Sequence, residues 1–66
     1  MHISLNGESY QLAEGSSIEQ LLTQLEFTGK RVAVEVNQEI VPRSQHSQTL
    51  LNEGDQVEVV QAIGGG

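Results

Sequence analysis

The sequence predicts an α+β roll in which one helix lies across one face of a mixed sheet of four to five strands. Three observations carry this. Met1, Ile3 and Leu5 alternate with polar residues up to Asn6-Gly7, and Tyr10 and Leu12 continue the alternation beyond it, the period-two pattern of two half-buried strands joined by a tight turn. Ile18, Leu21, Leu22 and Leu25 recur at i, i+3, i+4 and i+7, which places them on one helix face. Later β-branched runs, at Val32-Val34-Val36 and Val57-Val59, supply more strands. A helix with one apolar face needs a sheet to cover.

In chain order, the Asn6-Gly7 pair suits a two-residue type I′ turn, and that loop sets Ile3 opposite Tyr10 and Met1 opposite Leu12. Ser16-Ser17-Ile18-Glu19 fits a capping box with Ser16 as N-cap and Glu19 reaching back. The helix is expected to end near Glu26-Phe27-Thr28-Gly29, with Gly29 as a left-handed stop and Phe27 packed beneath the connection. Arg31 to Val36 forms the third strand, with Val32, Val34 and Val36 facing inward and Ala33 and Glu35 outward. Asn37-Gln38-Glu39 turns the chain into a short Ile40-Val41 strand. Pro42 closes it and places it at a sheet edge, because proline cannot donate to a ladder.

Arg43 to Leu51 reads as a loop with one irregular helical turn that brings Leu50 or Leu51 into the core. Asn52-Glu53-Gly54-Asp55 is a turn, and Gln56 to Ala62 is the last strand, with Val57 and Val59 inward and Glu58, Val60 and Ala62 outward. Support on both sides puts that strand in the middle of the sheet, parallel to the first. Leu21, Leu22, Leu25, Val34 and Val57 then share one core. Ala33, Val60 and Ala62 form a small outward apolar patch for a partner, with Ile63 beyond.

The 66 residues make a single domain, with 63–66 as a flexible projecting tail. A domain of this size buries only ~60% of the surface its unfolded chain exposes. It has no cysteine, so neither disulfide nor thiolate zinc can reinforce it. His2 and His46 are too few and too far apart for a metal site and read as surface residues. Nine acidic residues against Lys30, Arg31 and Arg43 give a net charge of −6, which opposes binding to nucleic acid and to anionic membranes. The first residues lack the pattern of a signal peptide and no segment has the ~20 apolar residues of a membrane span. The expected setting is cytoplasmic, and the free protein is expected to be a monomer.

No catalytic constellation is apparent. Gly64-Gly65-Gly66 is not a phosphate-binding loop, since no helix follows it. What remains is the end itself. Without side chains the glycines can slide through a narrow channel, and from Ile63 to the terminus an extended chain reaches at most ~14 Å. Such a tail can carry the Gly66 carboxylate into a partner's active site. A carboxylate is a poor electrophile and must be activated from outside, as by conversion to an acyl adenylate that a sulfur nucleophile can attack.

Several of these features occur together in one known family. Asn6-Gly7-Glu8, the Ile18/Leu21/Leu22/Leu25 helix, Val36-Asn37 followed by Val41-Pro42-Arg43, Gly54-Asp55, and the end at Ile63-Gly64-Gly65-Gly66 stand in the order and spacing of the ThiS family. The chain resembles these small sulfur carrier proteins of thiamin biosynthesis along its full length. The resemblance implies a ubiquitin-like β-grasp fold, and Gly66 as the site of adenylylation and then of the thiocarboxylate, with Gly65 completing the diglycine end. It implies no bound cofactor and no enzymatic activity of the chain's own. The implied partners are an E1-like adenylyltransferase that uses ATP and magnesium, a cysteine desulfurase route that supplies sulfur, and thiazole synthase. The small subunit of molybdopterin synthase shares the fold and the diglycine end. A protein-conjugating ubiquitin-like modifier or a plain β-grasp interaction module also fits the residues.

Overall fold

The computed structural model describes residues 1–61. Strands β1 (His2–Leu5) and β2 (Glu8–Gln11) form the expected antiparallel hairpin, with Ile3 opposite Tyr10. Asn6 and Gly7 have φ of 50° and 85°, both left-handed as a type I′ turn requires. Helix α1 (Ile18–Gln24) follows, then β3 (Val32–Val36) and β4 (Glu39–Val41) as a second antiparallel hairpin. Its turn is tighter than the sequence suggests. Asn37 and Gln38 take φ of 52° and 70°, so Glu39 already belongs to β4 instead of to the turn.

Strand β5 (Gln56–Gln61) runs parallel to β1 and antiparallel to β3, giving the sheet order β2-β1-β5-β3-β4. The last strand therefore lies in the middle and β4 at an edge. Burial alternates as expected, with Val57 and Val59 buried and Glu58 and Val60 exposed. Alternation follows from the pleat, since successive side chains of a strand point to opposite faces.

The helix begins one residue later than the capping motif at Ser16 suggested. Ser17 is the N-cap: its hydroxyl accepts from Gln20 N–H at 3.1 Å, and the Gln20 side chain accepts from Ser17 N–H at 2.8 Å. Both Ser16-x-x-Glu19 and Ser17-x-x-Gln20 satisfy the capping pattern, and tertiary contacts break the tie. Ser16 bonds back to Ala13 through its hydroxyl, its carbonyl accepts from Leu51 N–H at 2.8 Å, and Ser17 forms a bridge with Leu50. That strand-like contact fixes Ser16 outside the helix. The next two helical N–H groups donate to the carbonyls of Thr49 and His46, so the connection after β4 satisfies donors that a helix start would otherwise leave open.

The helix also ends earlier than expected, at Gln24 with Leu25 as C-cap. Glu26, at φ 65°, is the left-handed residue in place of Gly29. Its N–H donates to Thr23 and that of Phe27 to Leu22 at 2.8 Å, the paired bonds of a Schellman motif. Stopping here returns Phe27 to the core, against which it packs half-buried. Gly29, at φ 79°, serves instead in the following turn, where Lys30 N–H donates to Phe27.

The core between helix and sheet contains Ile3, Leu12, Ile18, Leu21, Leu22, Val34, Leu51, Val57 and Val59, with Leu25 half-buried at its border. The connection from Arg43 carries one 3-10 turn (Arg43–Gln45) and delivers Leu51 to the core, whereas Leu50 is 58% exposed. His46 is not a surface residue. It is 6% exposed, and its Nε2 lies 3.0 Å from the Val41 carbonyl, an acceptor to which Nε2–H donates. His46 thus ties the connection to the edge strand through its ring and to α1 through its carbonyl, a packing role that a lone polar residue in a polar stretch does not announce.

Candidate functional site

The C-terminal end of β5 is built to be held still. Val32, Ala33 and Val34 of β3 stand opposite Gln61, Val60 and Val59, and β1 supports the start of the strand from the other side, with Ser4 and Leu5 beside Gln56 and Val57. Where the main chain of β1 turns away, the Asn6 side chain continues the ladder, accepting from Val59 N–H at 2.9 Å and donating to the Val59 carbonyl at 3.2 Å. Asn37 holds the start of β5 with side chain and main chain together: its Oδ1 accepts from Gln56 N–H at 3.0 Å and its main-chain N–H donates to the Gln56 carbonyl at 2.7 Å. Each asparagine is the first residue of a left-handed two-residue turn, a conformation asparagine tolerates well. The sequence marked both as turn residues only. Their second task, bracing the central strand at Val59 and at Gln56, needs the fold to be seen.

The open face of the sheet brings Ala33 and Val60 together as a cross-strand pair, both exposed, Val60 at 61%. Ile40, not among the expected patch residues, is 73% exposed on the neighbouring edge strand and stands opposite Glu35. It could have been found from alternation, because Val41 turns inward and its neighbour must face out. Glu35 in turn stands opposite Glu58. Like charges directly opposed across strands are unfavourable, so this face combines exposed aliphatic groups with two carboxylates that a basic partner surface would relieve. Ala62, Ile63, Gly64, Gly65 and Gly66 lie outside the described residues.

Among the described residues no three His, Asp or Glu side chains gather where they could hold a metal ion, and no helix is long and apolar enough to cross a membrane. Every buried side-chain nitrogen and oxygen among them has a hydrogen-bond partner. The described body therefore contains a scaffold and an open sheet face, and no constellation of groups arranged for chemistry.

A five-stranded mixed sheet grasping one helix, with the last strand central, defines the ubiquitin-like β-grasp class. The crystal structure of a thiamine biosynthesis protein (ThiS) from Geobacter metallireducens superposes with a TM-score of 0.85 at 32% identity, each chain covered completely. The ThiS family model matches residues 3–66. The sulfur carrier protein ThiS of Escherichia coli is 39% identical over the whole of both chains. Thiazole synthases of Paramagnetospirillum magneticum and Magnetococcus marinus are 42% and 46% identical over all 66 residues of this chain, which spans 20% of the length of each. The chain belongs to the ThiS family, as the match over residues 3–66 and the full-length similarity to the Escherichia coli sulfur carrier protein show.

Proposed function

We propose that this chain carries sulfur on its C-terminal glycine for thiazole formation in thiamin biosynthesis, in the cytoplasm. In the first step a Gly66 carboxylate oxygen attacks the α-phosphorus of ATP on an adenylyltransferase, with magnesium, and pyrophosphate leaves. The acyl adenylate is an electrophile with a good leaving group. A persulfide from a cysteine desulfurase route then attacks the carbonyl carbon and AMP departs. A second thiol cleaves the resulting acyl disulfide to leave the thiocarboxylate, which thiazole synthase consumes. This chain has no cysteine, so every thiol in the sequence of steps comes from a partner.

The role of the folded body is positional. The observation that carries the reading is the central, doubly braced β5, which gives the residues after Gln61 a rigid base, in a chain of the ThiS family. Ile63, Gly64 and Gly65 then form the thread that enters the partner's active site, and Ala33, Val60 and Ala62 form the surface that docks the adenylyltransferase. The opposed Glu35 and Glu58 beside that patch suit a basic counterpart, which would speed encounter as well as orient it.

The test is ATP–pyrophosphate exchange by the adenylyltransferase. The parent chain supports exchange and a chain lacking Gly66 does not. Equal exchange with both would refute the assignment of Gly66.

A further inference from the structure

Resting on that reading, we propose a second docking site on the opposite side of the molecule: a groove between α1 and the 3-10 turn that receives an acidic side chain, with an apolar neighbour, from thiazole synthase. The groove has a volume of about 270 Å³ and is lined by both Lys30 and Arg43, two of only three basic residues in a chain of net charge −6. Leu22, Phe27 and Val32 give it an apolar floor, and Glu19 is the one carboxylate on its wall. Among the described residues neither the Lys30 ammonium nor the Arg43 guanidinium has an ion-pair or hydrogen-bond partner; Lys30 lies 6.0 Å from the centre of the Phe27 ring. Despite nine acidic residues in the chain, neither cation is in an ion pair with a carboxylate among the described residues.

Charge and shape together select the occupant. The negative field of the whole chain disfavours a free small anion at long range. A carboxylate attached to a partner is brought in by the rest of the interface, and an apolar neighbour gains from the Leu22, Phe27 and Val32 floor. Position brings such a partner to the groove: Val32, part of its floor, stands opposite Gln61, so a protein that closes on the residues after Gln61 comes near it. The relatives named thiazole synthase contain a counterpart of this whole chain within one polypeptide, which marks that enzyme as a close working neighbour. The exposed Ala33 and Val60 face remains for the adenylyltransferase, and each enzyme then grips its own side of the carrier.

The experiment is a titration of the parent, the Lys30→Glu/Arg43→Glu variant and the milder Lys30→Gln/Arg43→Gln variant against thiazole synthase, with the adenylyltransferase as the comparison partner. Charge reversal is expected to raise the Kd for thiazole synthase about tenfold or more and the neutral pair to raise it less, with the Kd for the adenylyltransferase unchanged within about twofold. Urea unfolding midpoints identify any variant that is not folded, and the neutral pair decides if the reversed pair fails. An unchanged Kd for thiazole synthase in a folded variant, or an equal loss with both enzymes, overturns the proposal. So does saturable binding of inorganic pyrophosphate to the free chain that shifts the Leu22 and Val32 methyl resonances, since the groove would then be a small-anion site. Sulfur loading of the parent is measured separately: a parent that binds thiazole synthase through the groove but never accepts sulfur removes the carrier reading and leaves the docking site.

Discussion

Asn6 and Val59 are 53 residues apart, and the Asn6 side chain makes both polar contacts of a ladder partner to Val59, accepting at 2.9 Å and donating at 3.2 Å. The amide replaces main chain that β1 no longer supplies, because the chain has already turned at Asn6-Gly7. Stability and function meet in this contact. Asn6→Gly keeps the left-handed turn and removes only the brace, so its expected cost is that of leaving a partly buried peptide group unpaired, about 1–3 kcal/mol. Urea unfolding of the two proteins measures it, and an unchanged midpoint would show that Val59 needs no brace.

Leu22 is 8% exposed on the face of α1 that covers the sheet. Leu22→Ala is expected to destabilise the domain by ~2–5 kcal/mol through lost burial and a residual cavity. In a domain this small that is a large share of the whole. The denaturant midpoint should fall accordingly.

The two adjacent serines separate the competing capping registers. Ser17→Ala removes the hydroxyl that accepts from Gln20 N–H and should cost ~1 kcal/mol. If the helix instead began at Ser16, replacing Ser17 by alanine would improve an interior helical position and the protein would gain stability. Thermal unfolding of the single variant distinguishes the two signs.

Most of the fold can be read from the residues because local and global preferences agree. Asn6-Gly7 specifies its turn, and the Val34 and Val57 alternation specifies a face. The need to support the last strand on both sides specifies its central place. The errors fall where two local solutions were equally good. Ser16 and Ser17 both begin a capping box, and Glu26 and Gly29 both end up left-handed, so contacts with Leu51 and the return of Phe27 to the core decide. His46 was missed for a related reason: its burial depends on how residues 43–50 lie against β4 and α1, which no period in the sequence encodes, whereas the outward Ile40 follows from the alternation of its own strand. The residues assigned to the tail, Ile63 to Gly66, were identified by composition and order alone.

Val60→Glu tests the open face. It adds a carboxylate beside Ala33 on a face that already holds Glu35 and Glu58, and at a site 61% exposed its effect on stability should stay within about 0.5 kcal/mol. Binding to the adenylyltransferase should weaken. Unchanged affinity, with the variant folded, would remove Ala33 and Val60 from the docking surface.

The most direct test of the carrier account is the intact mass of the chain after incubation with its adenylyltransferase, ATP, magnesium and a persulfide source. The account predicts that the parent gains the mass difference between one sulfur and one oxygen atom. It predicts that the chain lacking Gly66 gains nothing, although its unfolding midpoint is unchanged, because residues beyond the last strand of a domain contribute little to stability. Equal sulfur loading of the two chains, or a parent found joined to lysine side chains in place of carrying sulfur, would contradict it.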